Sequence, residues 1–69
     1  MNIYTQTIAE GLKIDLQSAS KIQSFIECWF DDFRWGSSTK AQIVFTAKQA
    51  QMMMNDPKYA DLVNYKAGA

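Results

Sequence analysis

The sequence predicts a mainly α fold, a small bundle of three or four helices, with residues 42–45 as a candidate short strand. Two observations carry this prediction. Apolar residues recur at three- and four-residue spacing along most of the chain, which is the pattern of one face of an α-helix. The chain has 69 residues, which is enough for a single domain over 1–69 but not for two.

The first predicted helix ends before residue 13. One helical stripe contains Tyr4, Ile8, Ala9 and Leu12. Residues 13–15 interrupt this stripe, and Asp15 is a suitable N-cap for the next helix because its carboxylate can accept hydrogen bonds from the first backbone N–H groups. A competing interpretation makes residues 3–8 and 12–16 a β-hairpin, because apolar and polar residues alternate over the second segment.

The strongest helical pattern covers residues 16–35. The apolar residues that share its face are Leu16, Ala19, Ile22, Ile26, Phe30 and Phe33. Gly36 follows as a natural C-terminal stop, and Arg34 in the last turn would meet the negative end of the helix dipole. We therefore expect one long helix, followed by a flexible connection over residues 36–39.

Residues 39–55 allow two interpretations. Two adjacent β-branched residues favour a short strand at 42–45. A helix over 47–55 would then follow, introduced by a Thr-x-x-Gln capping-box pattern at 46–49. The alternative is one continuous helix over 39–55 that is capped by Ser38.

A further helix is predicted near the C-terminus. Asp56 occupies an N-cap position and Pro57 the first helical position, where proline is favoured because it needs no hydrogen-bond partner for its nitrogen. Apolar residues follow at helical spacing, namely Tyr59, Leu62 and Val63. The last residues, 67–69, are expected to fray.

The residue inventory argues against an enzyme and against a metal or cofactor site. The chain has no histidine and one cysteine, Cys28, so the commonest general base and the usual zinc-ligand clusters are missing. A single cysteine cannot form an intrachain disulfide, and we expect a reducing, cytoplasmic setting. The three glycines are isolated and form no phosphate loop. No run of apolar residues is long enough to predict a membrane span.

Binding to another protein is the function that these exclusions favour. Several aromatic residues lie at the edges of the predicted apolar stripe, and aromatic residues are enriched in protein interfaces. Three successive methionines cannot all face one core, and flexible thioethers suit adaptable surfaces. We expect a homodimer that also binds an unknown protein, as an adaptor or inhibitor of a larger machine. The predicted contact residues are Phe25, Trp29, Trp35, Met52, Met53 and Met54.

The competing function is a small helix-turn-helix regulator that binds DNA. The apolar spacing over residues 6–26 is typical of that motif. Its second helix would present Gln17, Ser18, Ser20 and Lys21 to a groove. Seven basic side chains balance seven acidic ones, however, and DNA binding relies on a surplus of positive charge. The sequence therefore favours protein binding.

Overall fold

The part of the chain that the structure describes forms a small bundle in which three α-helices pack together. The computed structural model describes residues 2–59 and 61. Its elements, in chain order, are α1 (Ile3–Leu12), α2 (Leu16–Trp29), a short 3-10 helix (Trp35–Ser37) and α3 (Lys40–Met54). Each of the three α-helices packs against the other two. The mainly helical fold is confirmed, and no strand occurs among the described residues.

The core lies where the three helices meet. Ile8 of α1 and Ile26 of α2 are completely buried, and small alanine side chains let the helices approach one another. The buried apolar residues are Ile8, Ala9, Ala19, Ile22, Phe25, Ile26, Ile43, Ala47 and Ala50. The buried polar residue Gln23 has a partner, because the Thr5 hydroxyl donates a hydrogen bond to its side-chain oxygen. This pair joins α1 to α2 within the bundle.

The connection between α1 and α2 forms as the helical interpretation predicts. Asn2 caps α1, since its Oδ1 accepts a hydrogen bond from the Tyr4 backbone N–H at 2.8 Å. Lys13 ends α1 in the left-handed conformation, with φ 58° and ψ 50°. Asp15 caps α2, because its Oδ2 accepts from the backbone N–H of Ser18 at 3.3 Å and its Oδ1 from the Ser18 hydroxyl at 2.6 Å. The β-hairpin interpretation is wrong.

The cap at Asp15 makes stability depend on pH. The Ser18 hydroxyl, assisted by backbone N–H groups, lowers the pKa of the Asp15 carboxylate below its ordinary value of 3.8. Because the folded state holds this proton less tightly than the unfolded state, the ionised cap stabilises the fold above the ordinary pKa. This stabilisation is lost as the pH falls through the lower, folded-state pKa.

We therefore expect the stability gap between the wild type and Asp15→Asn to be largest near neutral pH and to close as the solution is acidified. Asparagine is also a good N-cap but carries no charge, so the comparison isolates the titration. Urea denaturation from neutral pH down to about pH 2 measures this difference in the free energy of unfolding. Its pH dependence follows from the difference between the pKa of Asp15 in the folded and unfolded states. A gap that stays constant over this range would contradict the prediction.

The second helix ends earlier than the sequence predicts. It stops at Trp29, and Phe30 leaves helical geometry with φ −110° and ψ 73°. Arg34, predicted to lie in the last helical turn, instead donates from Nη1 to the backbone oxygen of Asp31 at 2.9 Å.

Aromatic packing explains the early end of α2. After the turn, Trp35 returns to the bundle and lies with its ring centroid 5.1 Å from that of Tyr4 on α1. Phe33 meets the same indole edge to face at 4.8 Å. A straight helix would carry these rings away from α1. Gly36 lies inside the 3-10 helix and does not act as the predicted helix stop.

Residues 40–54 form one continuous helix, so the strand predicted at 42–45 is wrong and the alternative interpretation is confirmed. The cap is Thr39, not Ser38. Thr39 and Gln42 form a reciprocal capping box: the Gln42 backbone N–H donates to Thr39 Oγ1 at 3.1 Å, and the Thr39 N–H donates to Gln42 Oε1 at 2.8 Å. This cap starts the helix ahead of the β-branched pair, and burial of Ile43 outweighs its strand propensity.

The chain after α3 begins as predicted. The Asp56 carboxylate accepts a hydrogen bond from the backbone N–H of Lys58 at 3.0 Å, and residues 57–59 are helical. The continuation of this predicted helix through Leu62 and Val63 lies outside the described residues, as does the tail at 67–69.

Helices α1 and α3 approach each other closely at Gly11. A Cβ atom placed on Gly11 would lie 2.4 Å from Cγ2 and 2.9 Å from Cγ1 of Val44. Carbon atoms that are not bonded to each other do not approach to this distance, because van der Waals contact between them lies at about 3.5–4.0 Å. The contact between these two helices therefore depends on the absence of a side chain at this position.

Candidate protein-binding surface

The three aromatic residues predicted to bind a partner differ in exposure. Phe25 is 5% exposed and belongs to the core of the chain itself. It stacks on Trp29, whose ring centroid is 6.1 Å away, and Trp29 is half-buried. Trp35 is also half-buried, and it borders an open groove of about 430 Å³ together with Phe30 and Phe33. Both indoles are thus partly exposed, whereas Phe25 is buried in the core.

The three methionines also separate, as expected for successive helical positions. Met52 is 65% exposed. Met53 and Met54 are half-buried and pack against the core. Of the three, Met52 is therefore the one best placed to touch another molecule.

Phe45 is the exposed aromatic residue that the sequence reasoning missed. Its side chain is 64% exposed, which is unusual for a large apolar ring. Phe45 and Met52 are separated by two turns of α3 and lie on the same side. Together with two other exposed residues at 4-3-4 spacing they define what we call the outer face of α3: Ala41, Phe45, Lys48 and Met52.

The outer face of α3 lies opposite the core. With 3.6 residues per turn, its four residues fall within about 60° of the helix circumference. The buried residues of the same helix, Ile43, Ala47 and Ala50, are centred about 180° away. A surface helix normally has one apolar stripe, whereas α3 has one stripe in the core and a second one in solvent.

This second stripe explains why sequence reasoning missed Phe45. Apolar residues on both sides of a helix obscure its amphipathic period, so the pattern over 42–45 resembles a short buried strand. The useful signal was the 4-3-4 spacing of the outer face, which becomes visible once the capping box at Thr39 is accepted as the helix start.

Charge is distributed unevenly along the chain, although the total is zero. Residues 33–55 contain three cations and no aspartate or glutamate; the cations are Arg34, Lys40 and Lys48. Most of the acidic residues precede this segment: Glu10, Asp15, Glu27, Asp31 and Asp32. The outer face of α3 therefore has only positive charge on its own helix.

The residues proposed to read DNA lie on α2. Gln17, Ser20 and Lys21 are exposed. The hydroxyl and backbone N–H of Ser18 are both engaged by the Asp15 cap. Lys21 is the one cation of α2, and Glu27 on the same helix offsets it. The arrangement provides little positive charge for a phosphate backbone.

The part of the chain that the structure describes offers no comparable arrangement for a metal ion or a membrane. There, no group of three histidine, cysteine, aspartate or glutamate side chains is arranged to hold a metal ion. None of the helices in residues 2–59 and 61 has the length and hydropathy to span a bilayer. Cys28 is exposed on α2, and no arrangement of described residues assigns it a chemical role.

Comparison with known proteins identifies no relative of this chain. No protein-family model, curated protein or solved structure matches the chain.

Proposed function

We propose that this protein is a non-enzymatic interaction module of the cytoplasm, an adaptor or inhibitor of a larger machine, that binds another protein through the outer face of α3. One observation carries the proposal. Phe45 and Met52 are 64% and 65% exposed on a helix whose opposite side already fills the core. Apolar side chains at i and i+7 on one helix face are typical anchors for a docked helix or groove.

The chemistry of the two side chains supports this proposal. A phenylalanine ring offers a large apolar area and is enriched in interface cores, as is methionine. Methionine also adapts its shape to different partners because its thioether chain is flexible. Neither residue is needed on this side of α3 for folding, since the helix already packs through Ile43, Ala47 and Ala50.

Self-association is a separate part of the proposal. The sequence predicts a homodimer, and the half-buried indoles of Trp29 and Trp35 are candidate contacts for a second copy. Sedimentation velocity over a range of protein concentrations reads the oligomeric state directly. We expect a dimer at micromolar concentration.

DNA binding gains no comparable support. α2 presents one lysine, and the serine at position 18 is used in the helix cap. We expect no mobility shift of a random DNA duplex at micromolar protein and low salt, conditions that favour non-specific phosphate contacts. A strong shift that disappears as salt is added would favour the regulator instead.

Phe45→Ser combined with Met52→Ser tests the proposed surface. We expect the double variant to capture at least about tenfold less partner protein from host lysate than the wild type does. Loss of two interface anchors should cost more than about 1.4 kcal/mol of binding free energy. Its thermal melting should match that of the wild type, because both side chains are exposed in the free protein. Quantitative mass spectrometry of the captured proteins measures the loss.

The matched control is Ile3→Ser. Ile3 is 69% exposed but lies on α1, and the α3 residues with which it lines a groove, Lys40 and Ile43, do not belong to the outer face. It should capture the same proteins as the wild type. Equal capture by the double variant and the wild type would refute the proposed surface.

A further inference from the structure

We infer that the partner bound by the outer face of α3 is an acidic amphipathic helix of another protein, and not the α3 of a second copy of this chain. The inference rests on the proposed function, because it specifies what the same surface binds. It follows from the spacing, the length and the charge of that face.

The spacing fits a helical partner. Ala41, Phe45, Lys48 and Met52 follow the 4-3-4 pattern of the a and d positions in a two-stranded coiled coil. At 1.5 Å per residue this seam extends about 16 Å along α3, which corresponds to three helical turns. Ala41 is small and permits close approach at one end, while Phe45 and Met52 provide the large side chains that insert into the partner.

The charge specifies the partner's chemistry. Lys48 lies in the seam between Phe45 and Met52, where its aliphatic stem can cover apolar surface and its ammonium group can reach the edge. A docked helix would shield this ammonium group from water, which is costly unless a carboxylate meets it. Residues 33–55 contain no carboxylate side chain that could pair with Lys48 within this face, so we expect the partner to supply it.

A second copy of α3 is a poor occupant for the same reason. In a parallel pair the two Lys48 side chains would face each other across the seam. In an antiparallel pair with full overlap, each would lie beside a Phe45 ring, and the two lysines would be about 4.5 Å apart along the axis. Either arrangement places two like charges in one seam without a carboxylate from α3, which disfavours pairing.

Two designed peptides test the inference. Both are amphipathic helices with leucine at the a and d positions; one carries glutamate and the other lysine at the positions that flank this seam. We expect the glutamate peptide to bind the full chain and to shift the amide NMR signals of residues 41–52. The lysine peptide should bind at least about tenfold more weakly at low salt, because complementary charge selects the partner.

Charge reversal in the protein provides the control. Lys48→Glu should reverse the preference between the two peptides, whereas Lys21→Glu, an exposed substitution on α2, should leave it unchanged. If neither peptide shifts residues 41–52, the docking surface itself fails, and the proposed function fails with it. Equal binding of both peptides at 41–52 would support the outer face of α3 as a docking surface. It would overturn the inference that the partner is acidic.

NMR and peptide displacement would also detect three other possible occupants of the outer face of α3. Concentration-dependent shifts of residues 41–52 in the free protein would identify a second copy. Nuclear Overhauser contacts between the Phe45 ring and residues 60–69 would identify the chain's own C-terminal segment. Displacement of the glutamate peptide by phosphatidylserine-containing vesicles would identify a lipid surface. Each of these three results would overturn the inference.

Discussion

Replacing Ile26 with alanine is expected to remove about 2–5 kcal/mol of stability, which is the usual cost of deleting a large buried aliphatic side chain. Ile26 is 0% exposed and lies on α2 in the centre of the core. A domain of this size has a total stability of about 3–10 kcal/mol. The substitution should therefore remove a large fraction of the total stability and lower the urea concentration at the unfolding midpoint.

Urea denaturation followed by circular dichroism measures this loss. Leu16→Ala is the matched control, because Leu16 lies on the same helix but is 41% exposed; we expect it to cost only about 1–2 kcal/mol, since its side chain is only partly buried. An Ile26→Ala variant that is as stable as Leu16→Ala would show that Ile26 is not a central core residue.

Gly11→Ala is expected to destabilise the protein by about 1–3 kcal/mol, the usual cost of overpacking. In an exposed helix the same change would stabilise by about 1 kcal/mol, because alanine is the better helix former. The sign is reversed here because the new Cβ would meet Val44 Cγ2 at 2.4 Å. The β-branched valine side chain is short and stiff, so α1 and α3 would have to separate.

A double-mutant cycle tests this explanation. Val44→Ala removes both Cγ atoms, so it should relieve much of the damage done by Gly11→Ala, and the two changes together should cost less than their sum. Gly36→Ala is the control, because no atom lies within 4 Å of a Cβ at that position. Thermal melting of the wild type, the two single variants and the double variant gives the coupling free energy between positions 11 and 44. A Gly11→Ala variant that melts above the wild type would contradict the steric explanation.

A local cap signal predicted the start of α2, whereas the capping box at Thr39 that begins α3 was missed. Asp15 marked the start of α2 correctly, because the hydrogen bonds of an N-cap depend on only a few neighbouring residues. The end of α2 was predicted wrongly, because the apolar period continues through Phe30 and Phe33 although the chain has already turned. That turn depends on contacts with Tyr4 of α1, which no local pattern contains.

The candidate surface was predicted only in part. Met52, Met53 and Met54 were predicted together, because three successive helical residues cannot all be buried; of the three, Met52 is 65% exposed. Phe45 was missed because the β-branched pair beside it suggested a strand. Phe25 was assigned to a surface because the width of an apolar stripe does not show which of its edges a neighbouring helix covers.

Three residues connect α1 to α2 and ten connect α2 to α3, and each helix packs against the other two. Helical bundles of this kind have low contact order and fold within about microseconds to milliseconds. Combined with modest stability, such speed means that the native structure opens and re-forms many times during an ordinary experiment. A ligand that binds only the closed form would lengthen the lifetime of the fold, so protection of core amides from hydrogen exchange should rise when the surface is occupied.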